Sequence, residues 1–297
     1  MSRRNWALFA ATFVSLIYAA NFSIAKDVMP QYITPFAFIL VRVLGAFVLF
    51  WMFSFLGPKE KIDMQDFPRI AAAALFGVAI NQLAFFEGLS LTSPITASVL
   101  MVTTPILVLI TAALLTKEKI KFKKVLGIVL GLSGTCILIL YGKEISNSPR
   151  AAWGNFLVFI NAASYAVYLI ITKKLIAKYH AFTFVKWIYT FGLLMVIPFG
   201  YEEFTNINWI IIPVAIHIKI AFVVVFTTFL AYLINLMAMK ELKPTTLSVF
   251  IYLQPLFATI IAVSFGKDQL SFVTLIAAIL IFVGVFLVSH KKQKNTR

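Results

Sequence analysis

The amino-acid sequence predicts an all-α membrane protein in which ten transmembrane helices form two related halves of five. Three observations lead to this prediction. Apolar residues make up 61% of the 297 residues and charged residues only 12%, whereas about a quarter of an ordinary soluble domain is charged. Ten apolar stretches of roughly membrane-spanning length alternate with short polar breaks. The second half of the chain also repeats the first in sequence.

The ten stretches are separated by breaks that hold most of the charges and many of the prolines, where a missing backbone N–H costs little. The predicted spans are 6–26, 35–56, 69–89, 93–115, 122–141, 152–173, 183–200, 217–239, 245–265 and 270–289. The first stretch follows Arg3-Arg4 and resembles a secretory or twin-arginine signal. Because it is long enough to span the bilayer, we expect it to be retained as helix 1.

Basic residues predict the orientation. With a cytoplasmic N-terminus, nineteen Lys and Arg fall on the cytoplasmic side and five on the other, while Arg42 and Lys186 lie within spans. The positive-inside rule then predicts a multi-pass protein of the cell (inner) membrane, with both termini and the basic tail 291–297 in the cytoplasm. This bias explains the net charge of +15 without nucleic acid as a partner. The apolar segment from Asn206 to Ile218 is expected along the outer interface.

An internal repeat divides the chain. Shifting it by 150 residues lays Asn81–Gly142 over Ala231–Lys292 with twelve of 62 positions identical, and Pro94 and Pro105 meet Pro244 and Pro255. Nearer the start of each half, an offset of 143 lays Ala19-Ala20-Asn21-Phe22 over Ala162-Ala163-Ser164-Tyr165. The predicted repeats are 1–144 and 151–290. Because five is odd, the second copy enters the membrane from the opposite side, which gives the inverted repeat used for alternating access.

Short motifs occur in a characteristic order along both halves. They are Asn21-Phe22 with Lys26, Arg42, Leu91-Thr92-Ser93-Pro94, Pro105 and Lys117-Glu118, with echoes at Pro255 and Lys267-Asp268. In this order they resemble the drug/metabolite transporter superfamily, specifically its ten-helix permeases with two EamA repeats. Members of that family often carry Trp-Gly before the helix 1 Asn, where this chain has Ala19-Ala20. The resemblance implies two inverted five-helix EamA-type repeats that transport, and by preference export, small organic metabolites such as amino acids, or drugs.

Polar side chains within the spans predict the substrate pathway, because in hydrocarbon they face protein or a water-filled cavity. Helix 6 shows this most clearly, with polar residues at offsets of 0, 3, 4 and 7 along one helical face. The candidates are Tyr18, Asn21, Arg42, Asn81, Gln82, Asn161, Ser164, Tyr165, Tyr168, Tyr232, Asn235, Ser248, Tyr252 and Gln254. For each, the alternative is an interhelical hydrogen bond that touches no ligand.

Two prolines and two charged residues suggest mechanism. Pro105 and Pro255 lie within spans and remove the donors to the carbonyls of Met101 and Ile251, so each marks a substrate contact, a gating kink or a static kink. Arg42 is explained by snorkelling, by an ion pair with Glu87, or by attraction of a substrate carboxylate. Glu87 is the acid nearest the membrane interior, so proton coupling would depend on it, although facilitated diffusion or exchange is simpler.

Other functional classes find little support in the sequence. It contains no His-Glu-x-x-His run, no pair of mid-membrane aspartates and no membrane Ser-His pair, so we expect neither catalysis, nor a metal, nor a cofactor. A channel or a lipid-handling protein is the alternative to a permease. Gly127 and Gly131 permit close helix contact within the fold or across a dimer, which leaves a monomer and a homodimer open.

Overall fold

The computed structural model describes residues 2–92, 94–116, 121–141, 150–264 and 272–289, and its secondary structure over these ranges is helical, without a strand. The predicted helix ends at Lys117-Glu118 and Lys267-Asp268 and the tail 291–297 lie outside them. We group the helical segments in chain order as α1 to α10. They are α1 (Arg3–Val28), α2 (Pro35–Leu56), α3 (Met64–Leu91), α4 (Pro94–Met101 and Thr104–Thr116), α5 (Phe122–Tyr141), α6 (Ala151–Lys178), α7 (Ala181–Thr205), α8 (Val214–Glu241), α9 (Pro244–Ser248, Val249–Tyr252 and Leu253–Ser264) and α10 (Phe272–Ser289).

Seven of these helices, namely α1, α2, α3, α6, α7, α8 and α9, are long and apolar enough to cross a membrane in the part of the chain that the structure describes. Thr104–Thr116 and Leu275–Ser289 form shorter apolar helices. Large apolar side chains cover the outside of the bundle, among them Leu114 at 74% and Phe272 at 76% exposure. Such a surface suits lipid and not water. The protein is therefore a multi-pass membrane protein, and the number of ten spans stays a prediction.

The helix that was predicted as span 8 begins earlier than expected. Residues 209–211 form a separate 3-10 turn, with Ile210 95% exposed, but α8 begins at Val214 directly after Pro213. The last residues of the predicted interfacial segment therefore belong to α8. Proline fixes its own backbone in a conformation that suits the residue before a helix, so the helix begins there and not at the predicted residue 217.

Both predicted proline sites follow a break in the helix. In α4, Thr103 bends the chain between the two segments, and its amide and hydroxyl donate to Leu100 O over 3.1 and 2.7 Å. Pro105 is the second residue of the following segment, and Pro255 is the third residue of Leu253–Ser264 after a 3-10 turn. In the first turn of a helix the missing N–H has no intrahelical acceptor to lose. Each proline thus starts a helical segment.

Hydrogen bonds divide the ends of the helices between two faces of the bundle. We call the face where Arg4 donates to Ser289 O the terminal face, because it joins the start of α1 to the end of α10. The end of α6 meets the start of α3 there, where Lys178 contacts Asp63 and Asp66 over 2.5 Å each. On the opposite face, the end of α1 meets the start of α8 through the ion pair of Asp27 with Lys219 at 2.6 Å. There the end of α7 also meets the start of α2, where Thr34 donates a hydrogen bond to Glu203 over 2.5 Å.

Helices α5 and α10 pack closely through glycine. A methyl group built on Gly127 would lie 2.7 Å from Gly284 O, and one on Gly134 would lie 2.7 Å from Ala277 O. Because residue 127 meets 284 while 134 meets 277, the two helices run antiparallel. Of the two partners open for Gly127, the structure shows a contact within the chain. The backbone of Gly131 also lies against Gly284, and its missing side chain leaves space for the ring of Tyr252.

Candidate functional site

A cavity of about 100 Å³ lies inside the bundle and is lined by residues of α1, α2, α3, α4, α6, α8 and α9. On the usual scale of about 10 to 15 Å³ per water, it has room for several waters or a small solute group. Ten of the fourteen candidate pathway residues line it: Tyr18, Asn21, Arg42, Asn81, Gln82, Asn161, Tyr165, Tyr232, Asn235 and Gln254. Met101 and Ile251, which lie four residues before Pro105 and Pro255, line the cavity as well.

Arg42 is the charged residue of the cavity wall, and it is only 3% exposed. Its Nε and Nη2 donate to Thr228 Oγ1 over 3.1 and 3.0 Å, and its Cζ lies 4.1 Å from the centre of the Phe86 ring. Its Nη1 has no hydrogen-bond partner. The prediction of an ion pair between Arg42 and Glu87 is wrong, because no such pair occurs among the described residues. The guanidinium instead contacts Thr228 of α8 and lines the cavity. Glu87 does not line the cavity.

Asparagine side chains on α3 and α6 form a reciprocal pair on the wall of the same cavity. Asn161 Nδ2 donates to Asn81 O over 2.7 Å, and Asn81 Nδ2 donates to Asn161 O over 3.3 Å. The donation by Asn161 fixes the orientation of its amide, because a carbonyl accepts only from the nitrogen. Its Oδ1 therefore remains a free acceptor, and it has no partner.

A second polar chain crosses from α3 to α8. The hydroxyl of Tyr232 donates to Gly77 O over 2.9 Å, and Gln82 Nε2 lies 3.5 Å from the same hydroxyl oxygen. Gly77 belongs to a π-helical turn, 75–79, of the kind that is frequent at functional sites. Since the Tyr232 hydroxyl donates its hydrogen bond to Gly77 O, it can only accept from Gln82, so the Gln82 side chain directs its N–H toward Tyr232. Its Oε1 is then an unpaired acceptor, as is Asn21 Oδ1.

Aromatic side chains complete the wall, and the sequence interpretation missed them. Phe22, Phe85 and Phe86 form an edge-to-face series with ring centroids 5.6 and 5.0 Å apart, and Phe250 lies on α9. Ser15 was missed as well, and its hydroxyl oxygen lies 2.9 Å from both Ala11 O and Phe250 O. Nothing in one sequence separates a phenylalanine that faces a cavity from one that faces lipid. Ser15, a buried polar residue one turn before Tyr18, carried a usable signal.

Four candidates contact protein and lie away from the cavity. Ser164 donates to Phe76 O over 2.8 Å, and Tyr168 packs against Gly77. Ser248 lies 3.4 Å from Thr245 O within its own helix, and Tyr252 is fully buried beside Gly131. For Ser164 and Ser248 the alternative of a structural hydrogen bond describes the observed contact.

Two lysines bind the ends of corresponding helices. Lys26 Nζ donates to the carbonyls of Leu89, Ser90 and Thr92 over 2.9, 3.0 and 3.2 Å at the end of α3. Lys173 Nζ donates to the carbonyls that follow 150 residues later at the end of α8, namely Met239, Lys240 and Leu242. A cation at a helix C-terminus is stabilising because the last carbonyls are unpaired.

This pair of lysines corrects the alignment of the two halves near their starts. Lys26 and Lys173 are 147 residues apart, whereas the sequence comparison used an offset of 143. At an offset of 147, Tyr18 corresponds to Tyr165, and both line the cavity. The offset of 143 rested on small residues, which are common in any apolar helix.

Comparison with known proteins identifies the family. Residues 5–140 and 152–290 each match the EamA-like transporter family. The chain belongs to the EamA-like transporter family. The motif order therefore predicted the drug/metabolite transporter superfamily correctly, and the two matches show a protein of two EamA repeats.

Several similar proteins are known, and two of those described here are named as transporters. An uncharacterized transporter of Archaeoglobus fulgidus is 25% identical over 99% of this EamA chain and 100% of its own. The uncharacterized transporter YetK of Bacillus subtilis is 24% identical over 86% of this chain and 78% of its own. A WAT1-related protein of Arabidopsis thaliana is 23% identical, with 96% and 85% covered. A protein of known crystal structure shares the fold, with a TM-score of 0.75, 18% identity, and 96% of this chain and 97% of the other covered.

Proposed function

We propose that this EamA-like protein is a permease whose ten transmembrane helices form two inverted five-helix repeats. It moves small organic metabolites such as amino acids, or drugs, through the central cavity by alternating access, with export as the favoured direction. The proposed location is the cell (inner) membrane, with both termini on the cytoplasmic side. Membership of a transporter family supports membrane transport in general. The polar cavity supports a solute site, the distribution of Lys and Arg supports the orientation, and the family resemblance alone favours export.

The observation that carries this proposal is the set of unpaired polar atoms on the cavity wall. Arg42 Nη1, Asn21 Oδ1, Gln82 Oε1 and Asn161 Oδ1 are buried without a hydrogen-bond partner. An unpaired polar group away from water costs roughly 1 to 3 kcal/mol, and more when it is charged. Thr104 Oγ1 and Tyr252 Oη are also buried without a partner, although neither residue lines the cavity. What favours a site for a polar solute is therefore that four such atoms face one cavity with room for a solute group.

The inverted arrangement is supported by contacts between equivalent helices. Helices α5 and α10 occupy equivalent places in the two halves and cross antiparallel through Gly127–Gly284 and Gly134–Ala277. The two lysine contacts lie on different faces: Lys26 is beside Asp27 of the opposite face, and Lys173 is near Lys178 of the terminal face. A pathway between inverted halves exposes one central site to each side in turn.

Reconstitution into liposomes tests the proposal. We expect saturable uptake of at least one solute from a panel of labelled amino acids and amphiphilic cations, and accelerated exchange when the unlabelled solute is inside. Asn161→Ala should reduce the rate at least tenfold because it removes both an amide pair and a cavity acceptor. Asn206→Ala, on the exposed turn after α7, is the matched control and should keep the wild-type rate. Uptake that does not saturate and shows no counterflow would favour a channel or lipid-handling protein.

A pH gradient tests coupling separately. Facilitated diffusion or exchange predicts equal uptake with and without an imposed gradient. Coupling through Glu87, which is half-buried on α3, predicts that the uptake rate depends on the pH gradient. Glu87→Gln should then abolish this dependence. The two outcomes leave permease function intact and differ only in its energy source.

A further inference from the structure

We propose that the central cavity selects solutes that carry a carboxylate, which Arg42 Nη1 binds, together with an N–H or O–H donor, which the amide oxygens of Gln82 and Asn161 accept. This inference rests on the proposed function and names the chemical class of its solute. The apolar part of such a solute would lie against the phenylalanine series Phe22, Phe85 and Phe86. The expected solute is thus a small amphiphilic carboxylate.

The charge of the wall carries the first step. Arg42 is positively charged, and the cavity lining in the described part of the chain includes no acidic side chain. A buried cation without a counterion is costly, and an anion that forms a hydrogen-bonded pair with it recovers part of that cost. Thr228 and the ring of Phe86 satisfy one side of the guanidinium, but both are uncharged. An organic cation in the same cavity would meet a like charge and no compensating acid.

The orientation of Arg42 carries the second step. Thr228 Oγ1 donates its own proton to Val223 O over 2.8 Å, so it can only accept from Arg42, and it accepts from Nε and Nη2. This leaves Nη1 as the unpaired nitrogen. A guanidinium nitrogen only donates, so its partner must be an acceptor, and charge-assisted hydrogen bonds to carboxylate are among the stronger ones.

The two amides carry the third step. The Tyr232 hydroxyl donates to Gly77 O and therefore accepts from Gln82 Nε2, which leaves Gln82 Oε1 as an acceptor without a partner. Asn161 Nδ2 donates to Asn81 O, which likewise leaves Asn161 Oδ1 as an acceptor without a partner. Both amide oxygens are buried, since Gln82 is 2% and Asn161 3% exposed. One cavity therefore presents a cationic donor and at least two neutral acceptors. The complementary solute has an anionic acceptor and at least one donor.

A matched series of probes tests this class. We would purify the full chain in lipid nanodiscs and measure binding of 3-phenyllactate, 3-phenylpropionate, 3-phenylpropan-1-ol and phenethylamine by calorimetry. These probes share a phenyl ring and differ in carboxylate, hydroxyl and amine. We expect each carboxylate to bind at least tenfold more tightly than the alcohol or the amine. The hydroxyl of phenyllactate should add a further threefold or more over phenylpropionate.

Variants assign the two parts of the preference. Arg42→Gln should remove the preference for carboxylate, and Arg42→Lys should keep part of it. Gln82→Leu should remove the gain from the hydroxyl while keeping the preference for carboxylate, so the inference remains testable if Arg42→Gln does not fold. Lys186→Gln is the matched control, since this lysine is also within a span but lies near Trp51, with Nζ 4.9 Å from the ring centre, and does not line the cavity.

Several results would overturn the inference. Equal binding of phenethylamine and phenylpropionate would do so, as would a folded Arg42→Gln variant with an unchanged preference, or no binding of any probe. If liposomes exchange the amine but no carboxylate, the permease function stands and this inference is wrong. If the carboxylates bind with the expected preference but liposomes exchange no solute, the inference stands and the permease function is wrong.

Discussion

Replacing Thr228 by valine would remove the hydroxyl that holds Arg42 in place while keeping the shape of the side chain. Thr228 Oγ1 accepts from Arg42 Nε and Nη2 and donates to Val223 O, and the residue is fully buried. Its neighbour Thr227 is equally buried and donates to the same carbonyl over 2.6 Å. Thr227 contacts no guanidinium. Thr227→Val is therefore a matched control that differs from Thr228→Val only in the contact with Arg42.

The size of the effect follows from the type of hydrogen bond. Both variants lose a helix-internal bond to Val223 O, so this loss cancels in the comparison. A hydrogen bond to a charged group contributes about 1.5 to 3 kcal/mol, and here two donors share one oxygen. We therefore expect Thr228→Val to be less stable than Thr227→Val by about 1.5 to 3 kcal/mol. At about 1.6 °C per kcal/mol for a chain of 297 residues, the difference in melting temperature is about 2 to 5 °C.

Tryptophan fluorescence during heating in detergent micelles measures this difference. A double-mutant cycle then isolates the contact, because in an Arg42→Met background the two threonine variants should melt at the same temperature. Equal melting temperatures for Thr227→Val and Thr228→Val in the wild-type background would refute the assignment of Thr228 as the residue that positions Arg42.

Three further predictions concern the ends and the packing of the bundle. Lys26→Met and Lys173→Met should each lower the free energy of unfolding by about 1 to 2 kcal/mol, because each leaves carbonyls at a helix end without a donor. Thermal melts measure this loss. Lys174→Met, at the exposed neighbouring position, is the control and should melt like the wild type. Gly127→Val should cost about 1 to 3 kcal/mol, because its side chain would meet the backbone of α10; an unchanged melt would contradict the close crossing. Burial, and then a nearby lysine, lower the pKa of His180, so the unfolded chain binds this proton more readily. The resulting stability is complete above the unfolded pKa of about 6.5 and is lost as the pH falls below it. The melting temperature of His180→Gln should therefore fall less than that of the wild type between pH 7 and 5.5.

Apolar stretches between polar breaks located the helices well, since composition and length decide whether a segment can cross a bilayer. The predicted bounds of α5, 122–141, match the structure. The start of α8 was missed because an apolar interfacial segment and an apolar helix look alike until Pro213 is recognised as a helix start. The offset of 143 failed for a similar reason: small residues align in many registers, whereas the lysine contacts define one.

Side-chain direction set the limit for the candidate site. Asn161, Ser164, Tyr165 and Tyr168 lie on one broad face of α6, but this face is wide enough to touch both the cavity and α3. Asn161 and Tyr165 reach the cavity, whereas Ser164 and Tyr168 contact α3. A single helix carries no record of where its neighbour lies, so the periodicity could not divide this group. The direction of Arg42 was equally open, because it depends on Thr228 in the other half of the chain.

If the protein is the proposed permease, the buried charge of Arg42 makes its transport sensitive to membrane voltage. With a bound monoanion the cavity is neutral, and without a solute it carries one positive charge. Moving one elementary charge across the whole of a 100 mV potential changes its energy by about 2.3 kcal/mol, and a charge that crosses part of the field experiences the corresponding fraction. Voltage would then alter the return of the unloaded carrier and leave the loaded step unaffected. A zwitterionic solute leaves both forms with the same charge, so the response of exchange and net flux to an imposed potential reports the ionisation state of the cargo.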